Sequence, residues 1–188
     1  MADARRRVSC ELATRRRPVG SNSDIVSALL VYLRQRGFNA APEFLGFDDQ
    51  GRMSLSYVEG RVPPELGPYH DHVLRAAARL IRQYHDSTQG FFGGSVTCHN
   101  DLSPCNFVFV DDLPAAIIDF DGVAPGSAEW DLGYAAWLWL DIGNDEISPE
   151  EQLRRLELFA RAYDPELSGN ERYPSVCSGK AINRTSSV

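Results

Sequence analysis

A chain of 188 residues, 43% hydrophobic and with a formal net charge of −7, is too apolar for a disordered segment. It is long enough for one domain, or for a large lobe joined to a small one. The acidic balance argues against nucleic acid as a partner and leaves two readings of the charge: a surface that maintains solubility, or one that favours a cationic substrate.

Four scattered cysteines (Cys10, Cys98, Cys105, Cys177) form no CxxC pair, and the longest apolar run, around Leu132 to Leu140, is too short for a bilayer. A reduced, cytoplasmic protein with no membrane contact is expected. Residues 1–22 carry no apolar period and are rich in arginine (Arg5, Arg6, Arg7, Arg15, Arg16, Arg17). A poorly ordered start is expected; a mitochondrial presequence is the alternative, against which Asp3 and Glu11 count.

Val26, Leu29, Leu30 and Leu33 then recur at helical spacing, with Ser23 as the expected N-cap and Gly37 as the stop. Two short β-like runs follow, Phe44 to Phe47 and Met53 to Val58, around the turn Asp48-Asp49-Gln50-Gly51. Glu59-Gly60 and Pro63-Pro64 break the pattern, which places a lobe boundary between 1–60 and 61–188. Leu74, Ala77, Ala78, Ile81 and Tyr84 line one face of a long helix ending near Ser87, followed by a glycine-rich connection over 90–94. Thr97 to Asn106 reads as a polar loop, Phe107 to Val110 and Ala115 to Phe120 as a β-hairpin, and Asp131 to Leu140 as a largely buried helix. Leu156, Phe159, Ala160 and Tyr163 predict one more amphipathic helix, and the polar residues 165–188 a poorly ordered tail.

The chemistry concentrates in His99-Asn100-Asp101-Leu102-Ser103-Pro104-Cys105-Asn106 and in Ile117-Ile118-Asp119-Phe120-Asp121. Asp101 and Asn106 stand at the two ends of one short loop, and the hairpin can return Asp119 beside them. Phosphoryl transfer needs such a group, with one side chain to orient the incoming hydroxyl and two to hold Mg²⁺ against phosphate oxygens. Each residue alone has a plainer reading. His99 could be a packed histidine, Asn106 a turn residue and Asp131 a helix cap. Asp121 reads equally as a substrate or metal contact and as a turn residue.

The block resembles the HxDxxxxN catalytic loop and following metal aspartate of aminoglycoside phosphotransferases and kindred small-molecule kinases. It follows the same logic as the catalytic-loop and DFG motifs of protein kinases. The resemblance is specific over 99–139 and spans roughly 15–163. It implies an α+β, protein-kinase-like two-lobe fold, with an incomplete N-terminal lobe and a mostly helical C-terminal lobe. It also implies transfer of the γ-phosphoryl group of ATP, with Mg²⁺, to a hydroxyl of a small molecule. By the same resemblance Asp101 is the catalytic base and His99 shapes its loop. Asn106 and Asp119 are metal ligands, Asp131 braces the loop from a helix start, and Glu59-Gly60 is the hinge near the adenine. Asn100 stands where the commoner form has glycine.

The family's glycine-rich hairpin has no counterpart, since no glycine precedes Gly20, and Arg17 stands where the nucleotide-binding lysine is expected. Asp24 is the one acidic residue in the following helix available to pair with it, and a dipole-complementing helix start explains it equally well. The usual C-terminal helices are also absent, so the chain reads as a truncated member. The alternative function is a catalytically impaired remnant that binds a ligand or partner. A more distant alternative starts from residues 116–123, which also resemble the hhhDxDGV strand of haloacid-dehalogenase-like phosphatases; there Asp119 would be the nucleophile. That reading leaves 99–106 unexplained and finds its sole downstream lysine, Lys180, in the polar tail.

Overall fold

The computed structural model describes residues 14–17, 20, 22–64 and 66–168. The expectations for the chain before Thr14 and after Ser168 lie outside the described residues.

The first part is a three-stranded antiparallel sheet with one helix. Strand β1 (Thr14–Arg17) pairs with β3 (Met53–Ser56), which also pairs with β2 (Phe44–Phe47), giving the order β1-β3-β2. The predicted turn between β2 and β3 is built by Asp48, whose carboxylate accepts from the amides of Gln50 and Arg52 at 3.0 and 2.8 Å.

Helix α1 (Ser23–Gln35) buries Val26, Leu29, Leu30 and Leu33, the predicted stripe. Its cap differs from expectation. Asn22 occupies the N-cap position, and Ser23, inside the helix, uses its Oγ to accept from the amide of Gly20 at 2.7 Å. The helix stops at Gly37 (φ +80). The Gly37 amide bonds to Arg34 O at 3.1 Å and the Phe38 amide to Leu33 O at 2.9 Å, a Schellman closure that satisfies the last carbonyls.

The larger part is mostly helical. Helix α2 (Asp71–Thr88) fully buries Leu74, Ala77, Ala78, Ile81 and Tyr84, as its spacing predicts. The segment read as a loop from Thr97 is partly a strand: β4 (Val96–Cys98) pairs with β7 (Ala124–Gly126), and Pro104–Asn106 forms a 3-10 turn. Between them β5 (Phe107–Val110) and β6 (Leu113–Ile117) make the predicted hairpin. Its two-residue turn is Asp111-Asp112, at φ 49 and 60, the paired left-handed geometry that matches strand twist. Strand β6 ends at Ile117, earlier than expected, because Asp119 turns left-handed (φ 68) and starts a 3-10 turn over Phe120–Gly122.

Helix α3 (Ala128–Leu140) is capped by Ser127, whose Oγ accepts from the Trp130 amide at 3.2 Å. It buries one face (Asp131, Ala135, Ala136, Trp139, Leu140) and exposes Trp130 and Trp137, so the expectation of a largely buried helix holds for that face only. Helix α4 (Pro149–Tyr163) buries Arg155, Leu158, Phe159 and Tyr163 and leaves Leu156 exposed. Of the predicted stripe Phe159 and Tyr163 are buried and Ala160 is half-buried, while Arg155, which donates to Tyr69 O at 3.0 Å, takes the inward place expected of Leu156.

One continuous core joins α1, α2, the β5–β6 hairpin, α3 and α4, with Leu102, Phe107, Ile117 and Trp139 fully buried beneath the loop region. The two parts are also stitched through the backbone. The Ile117 amide donates to Ala40 O at 2.9 Å, and Arg61, the first residue past the boundary, exchanges amide–carbonyl bonds of 2.9 and 2.8 Å with Phe109. The result is the α+β arrangement expected, a small sheet with one helix against a mostly helical body. Every strand pairing given among the described residues is antiparallel. Asp119 thus follows a two-stranded antiparallel hairpin, which does not build the α/β stretch that the phosphatase alternative calls for.

Candidate active site

The loop from His99 to Asn106 is held from below by one carboxylate. Asp131, fully buried in the first turn of α3, accepts from the amides of His99 and Asn100 at 2.8 and 2.9 Å. Two consecutive amides can face one side chain because Asn100 is left-handed (φ 64), a conformation open to glycine and asparagine. This accounts for asparagine where glycine was the commoner expectation. The Asn100 side chain then donates to Gly122 O at 2.8 Å and fastens the loop to the turn after Asp119. Trp139 anchors the middle of the loop, its Nε1 donating to Leu102 O at 2.9 Å.

His99 is fully buried, with its ring edge-on to Phe120 (4.9 Å between centroids) and Tyr84 (6.1 Å). Its Nε2 bonds to Ile118 O at 3.1 Å, so that nitrogen carries the proton. Nδ1 has no hydrogen-bond partner among the described residues. Burial holds the imidazole below its ordinary pKa; the Asp131, Asp101 and Asp119 carboxylates oppose that shift. His99 is therefore a neutral packing and tethering group.

Asn106 connects the loop's ends. Its Nδ2 donates to Asp101 O at 2.9 Å and to Asp101 Oδ2 at 2.7 Å, which sets the orientation of the amide. The Asn106 carbonyl in turn accepts from the Ile118 amide at 2.9 Å. Ile118 is thus tied on one side to Asn106 and on the other to His99, and Asp119 follows directly from this anchored residue. Both Asp101 and Asp119 are solvent-exposed. Asp121 is also exposed; its carbonyl accepts from Asn22 Nδ2 at 3.0 Å, tying this turn to the start of α1.

A cleft of about 390 Å³ opens next to Asp119, lined by Leu55, Tyr57, Val58, Gly60, Val108 and Ile118 among others. Gly60 sits at φ +146, and a Cβ there would stand 2.5 Å from Val108 Cγ1 and 2.6 Å from Phe109 O. Only glycine lets the crossing segment lie this close to β5. Glu59 is exposed and is not among the residues lining the cleft. Arg17 pairs with Met53 through the β1–β3 ladder; its side chain lies outside the described residues.

Two residues of this assembly were missed in the sequence. His85 (2% exposed) places Nε2 3.0 Å from Asp131 Oδ2 and Nδ1 2.8 Å from the Tyr163 hydroxyl. The available signal was a polar residue continuing the buried stripe of α2. Cys98, just before the loop, is a packing residue; burial pushes its thiol up to about 11, and its Sγ donates to Ser127 O at 3.2 Å.

Comparison with known proteins matches residues 93–169 to the phosphotransferase enzyme family. The trifolitoxin immunity protein of Rhizobium leguminosarum bv. trifolii is 32% identical over 149 residues, covering 69% of this chain. The chain spans about half the length of that relative, 56%. Among solved structures, the apoenzyme of the macrolide 2'-phosphotransferase of Brachybacterium faecium is similar, with a TM-score of 0.44 and 13% identity over 74% of this chain and 66% of that one. No helix among the described residues is long and apolar enough to cross a membrane.

Proposed function

From the premise that residues 93–169 belong to the phosphotransferase enzyme family, we propose that the protein transfers the γ-phosphoryl group of ATP to a hydroxyl of a small molecule. The observation that carries this reading is the Asn106 amide. Its nitrogen is committed to Asp101 at 2.9 and 2.7 Å, so Oδ1 is the atom of this amide that can serve a cation, and in this reading the Asp119 carboxylate is the second ligand. One carboxylate and one amide oxygen suit Mg²⁺, which takes few protein ligands and completes its shell with phosphate oxygens and water. Held there, the cation would neutralise charge on the phosphoryl group in flight.

The remaining work falls to the protein's own side chains. Asp101 presents an exposed carboxylate with one oxygen fixed by Asn106, positioned to orient an acceptor hydroxyl and take its proton. The apolar walls of the cleft, Leu55, Val58, Val108 and Ile118, suit a flat base, with the phosphates running toward Asp119. The resemblance assigns Arg17 to those phosphates. The acceptor is chosen by residues outside this constellation. The acidic residues Asp141, Asp145, Glu146, Glu150 and Glu151 suit a cationic one, although Glu151 is engaged by Arg154 at 2.6 Å.

The test separates the roles. Asp101→Asn should lower turnover by about 10²–10⁴-fold with Mg-ATP binding nearly intact, whereas Asp119→Asn should weaken Mg-ATP binding as well. ATP with Mg²⁺ at a hundred times its dissociation constant should stabilise the fold by about 2.7 kcal/mol. The acceptor panel should span hydroxyl-bearing antibiotics, amino alcohols, sugars and trifolitoxin, the last because of the relative's name. Stabilisation by nucleotide without product across the panel would favour the second reading, a ligand-binding protein without turnover. Unchanged turnover in Asp101→Asn would overturn the assignment.

A further inference from the structure

Asp131 is itself held. His85, on α2, reaches Asp131 Oδ2 with Nε2 at 3.0 Å, and its other nitrogen meets the hydroxyl of Tyr163, the last residue of α4, at 2.8 Å. All three groups are buried, at 0% exposure for Asp131, 2% for His85 and 9% for Tyr163. A carboxylate only accepts, so Nε2 carries the proton, and Nδ1 then accepts from the tyrosine hydroxyl. Each atom in the chain thus has one defined donor or acceptor role, with no member left over. The same Oδ2 accepts the amide of His99. A rotation of the carboxylate that served His85 less well would therefore also misplace the first residue of the loop carrying Asp101.

We infer that His85 and Tyr163 are positioning residues for the 99–106 loop, acting through Asp131, so that the end of α4 sets the orientation of Asp101. The inference rests on the phosphotransferase reading for its consequence in catalysis, but its structural half stands apart from that reading.

The experiment uses the full chain with four variants: Tyr163→Phe, His85→Gln, His85→Asn and His85→Ala. The glutamine amide can put its nitrogen where Nε2 stands and keep the bond to Asp131. Asparagine reaches only the Nδ1 position and loses it. Local amide exchange over residues 99–101 should therefore accelerate about 10-fold in His85→Asn, while α1 and the β5–β6 hairpin remain protected. In His85→Gln and Tyr163→Phe, which both keep a donor on Asp131 and lose the Tyr163 bond, it should rise by a smaller and similar factor. If the parent transfers phosphate, kcat should fall about 10–100-fold in His85→Asn, with the KM for nucleotide unchanged within about two-fold, since misplacement of a reacting group is costly. His85→Ala serves as the limit of lost stability.

Equal behaviour of the glutamine and asparagine variants would overturn the inference, as would faster exchange spread evenly over the protein. Unchanged kcat despite a loosened loop would overturn the positioning role. A parent without any transferase activity would sink the functional reading alone and leave the exchange experiment to decide this one.

Discussion

Replacing Asp131 with asparagine tests how the loop is held. The carboxylate accepts three bonds: His99 N at 2.8 Å and His85 Nε2 at 3.0 Å on Oδ2, and Asn100 N at 2.9 Å on Oδ1. The variant's amide nitrogen would take the Oδ1 place, where it opposes one donor rather than two. The Asn100 amide then loses its acceptor in a buried site, at a cost of about 1–3 kcal/mol. The other two bonds change from charge-assisted to neutral, losing about 1 kcal/mol each. The total is about 3–5 kcal/mol, less than the whole stability of a typical domain, so the variant should remain folded. For a chain of this size each kcal/mol moves Tm by about 2–4 °C, which predicts a drop of about 10 °C in a thermal unfolding scan. Asp131→Ala strands all three donors and should fall further. A Tm for Asp131→Asn within about 2 °C of the parent would show that this carboxylate does not hold the loop.

Gly60→Ala should cost about 1–3 kcal/mol from the backbone alone. It should also weaken nucleotide binding, because its Cβ meets Phe109 O at 2.6 Å and the crossing segment must lift from β5; denaturant unfolding and nucleotide titration check both. His99 makes stability depend on pH. Its folded pKa lies below the ordinary value because the ring is buried, so below about pH 6.5 the unfolded chain binds a proton that the folded chain resists. The contribution is present above that pH and is lost as pH falls through the window beneath it. The unfolding free energy of the parent should decline from pH 7.5 to pH 5.5, and that of His99→Gln should decline less. Equal slopes would refute the burial argument.

The elements that rest on a long apolar period were legible in the sequence. Val26, Leu29, Leu30 and Leu33 in α1, and Leu74 to Tyr84 in α2, bury the faces their spacing predicts. So was the β5–β6 hairpin, whose return brings the Ile118 amide to the Asn106 carbonyl at the end of the loop that precedes it. The short pairing of β4 with β7 was not legible. Three residues carry no period, and its partner, Ala-Pro-Gly, has no strand propensity. On α4, Phe159 and Tyr163 were read correctly but Leu156 was not, because a buried arginine, Arg155, takes the inward place; its acceptor, Tyr69 O, is 86 residues away in sequence. His85 was hidden for the same reason, since its partners Asp131 and Tyr163 lie 46 and 78 residues on.

The left-handed backbone at Asp119, φ 68 and ψ 60, bears on how any substitution there is to be interpreted. That conformation costs most side chains about 1–2 kcal/mol and spares glycine, asparagine and aspartate. Glutamate keeps the charge but strains the turn, and it would report a loss even if charge were all that mattered. Asparagine keeps the turn and removes the charge. A charge-preserving swap at Asp119 therefore measures the backbone, and a charge-removing one measures the charge.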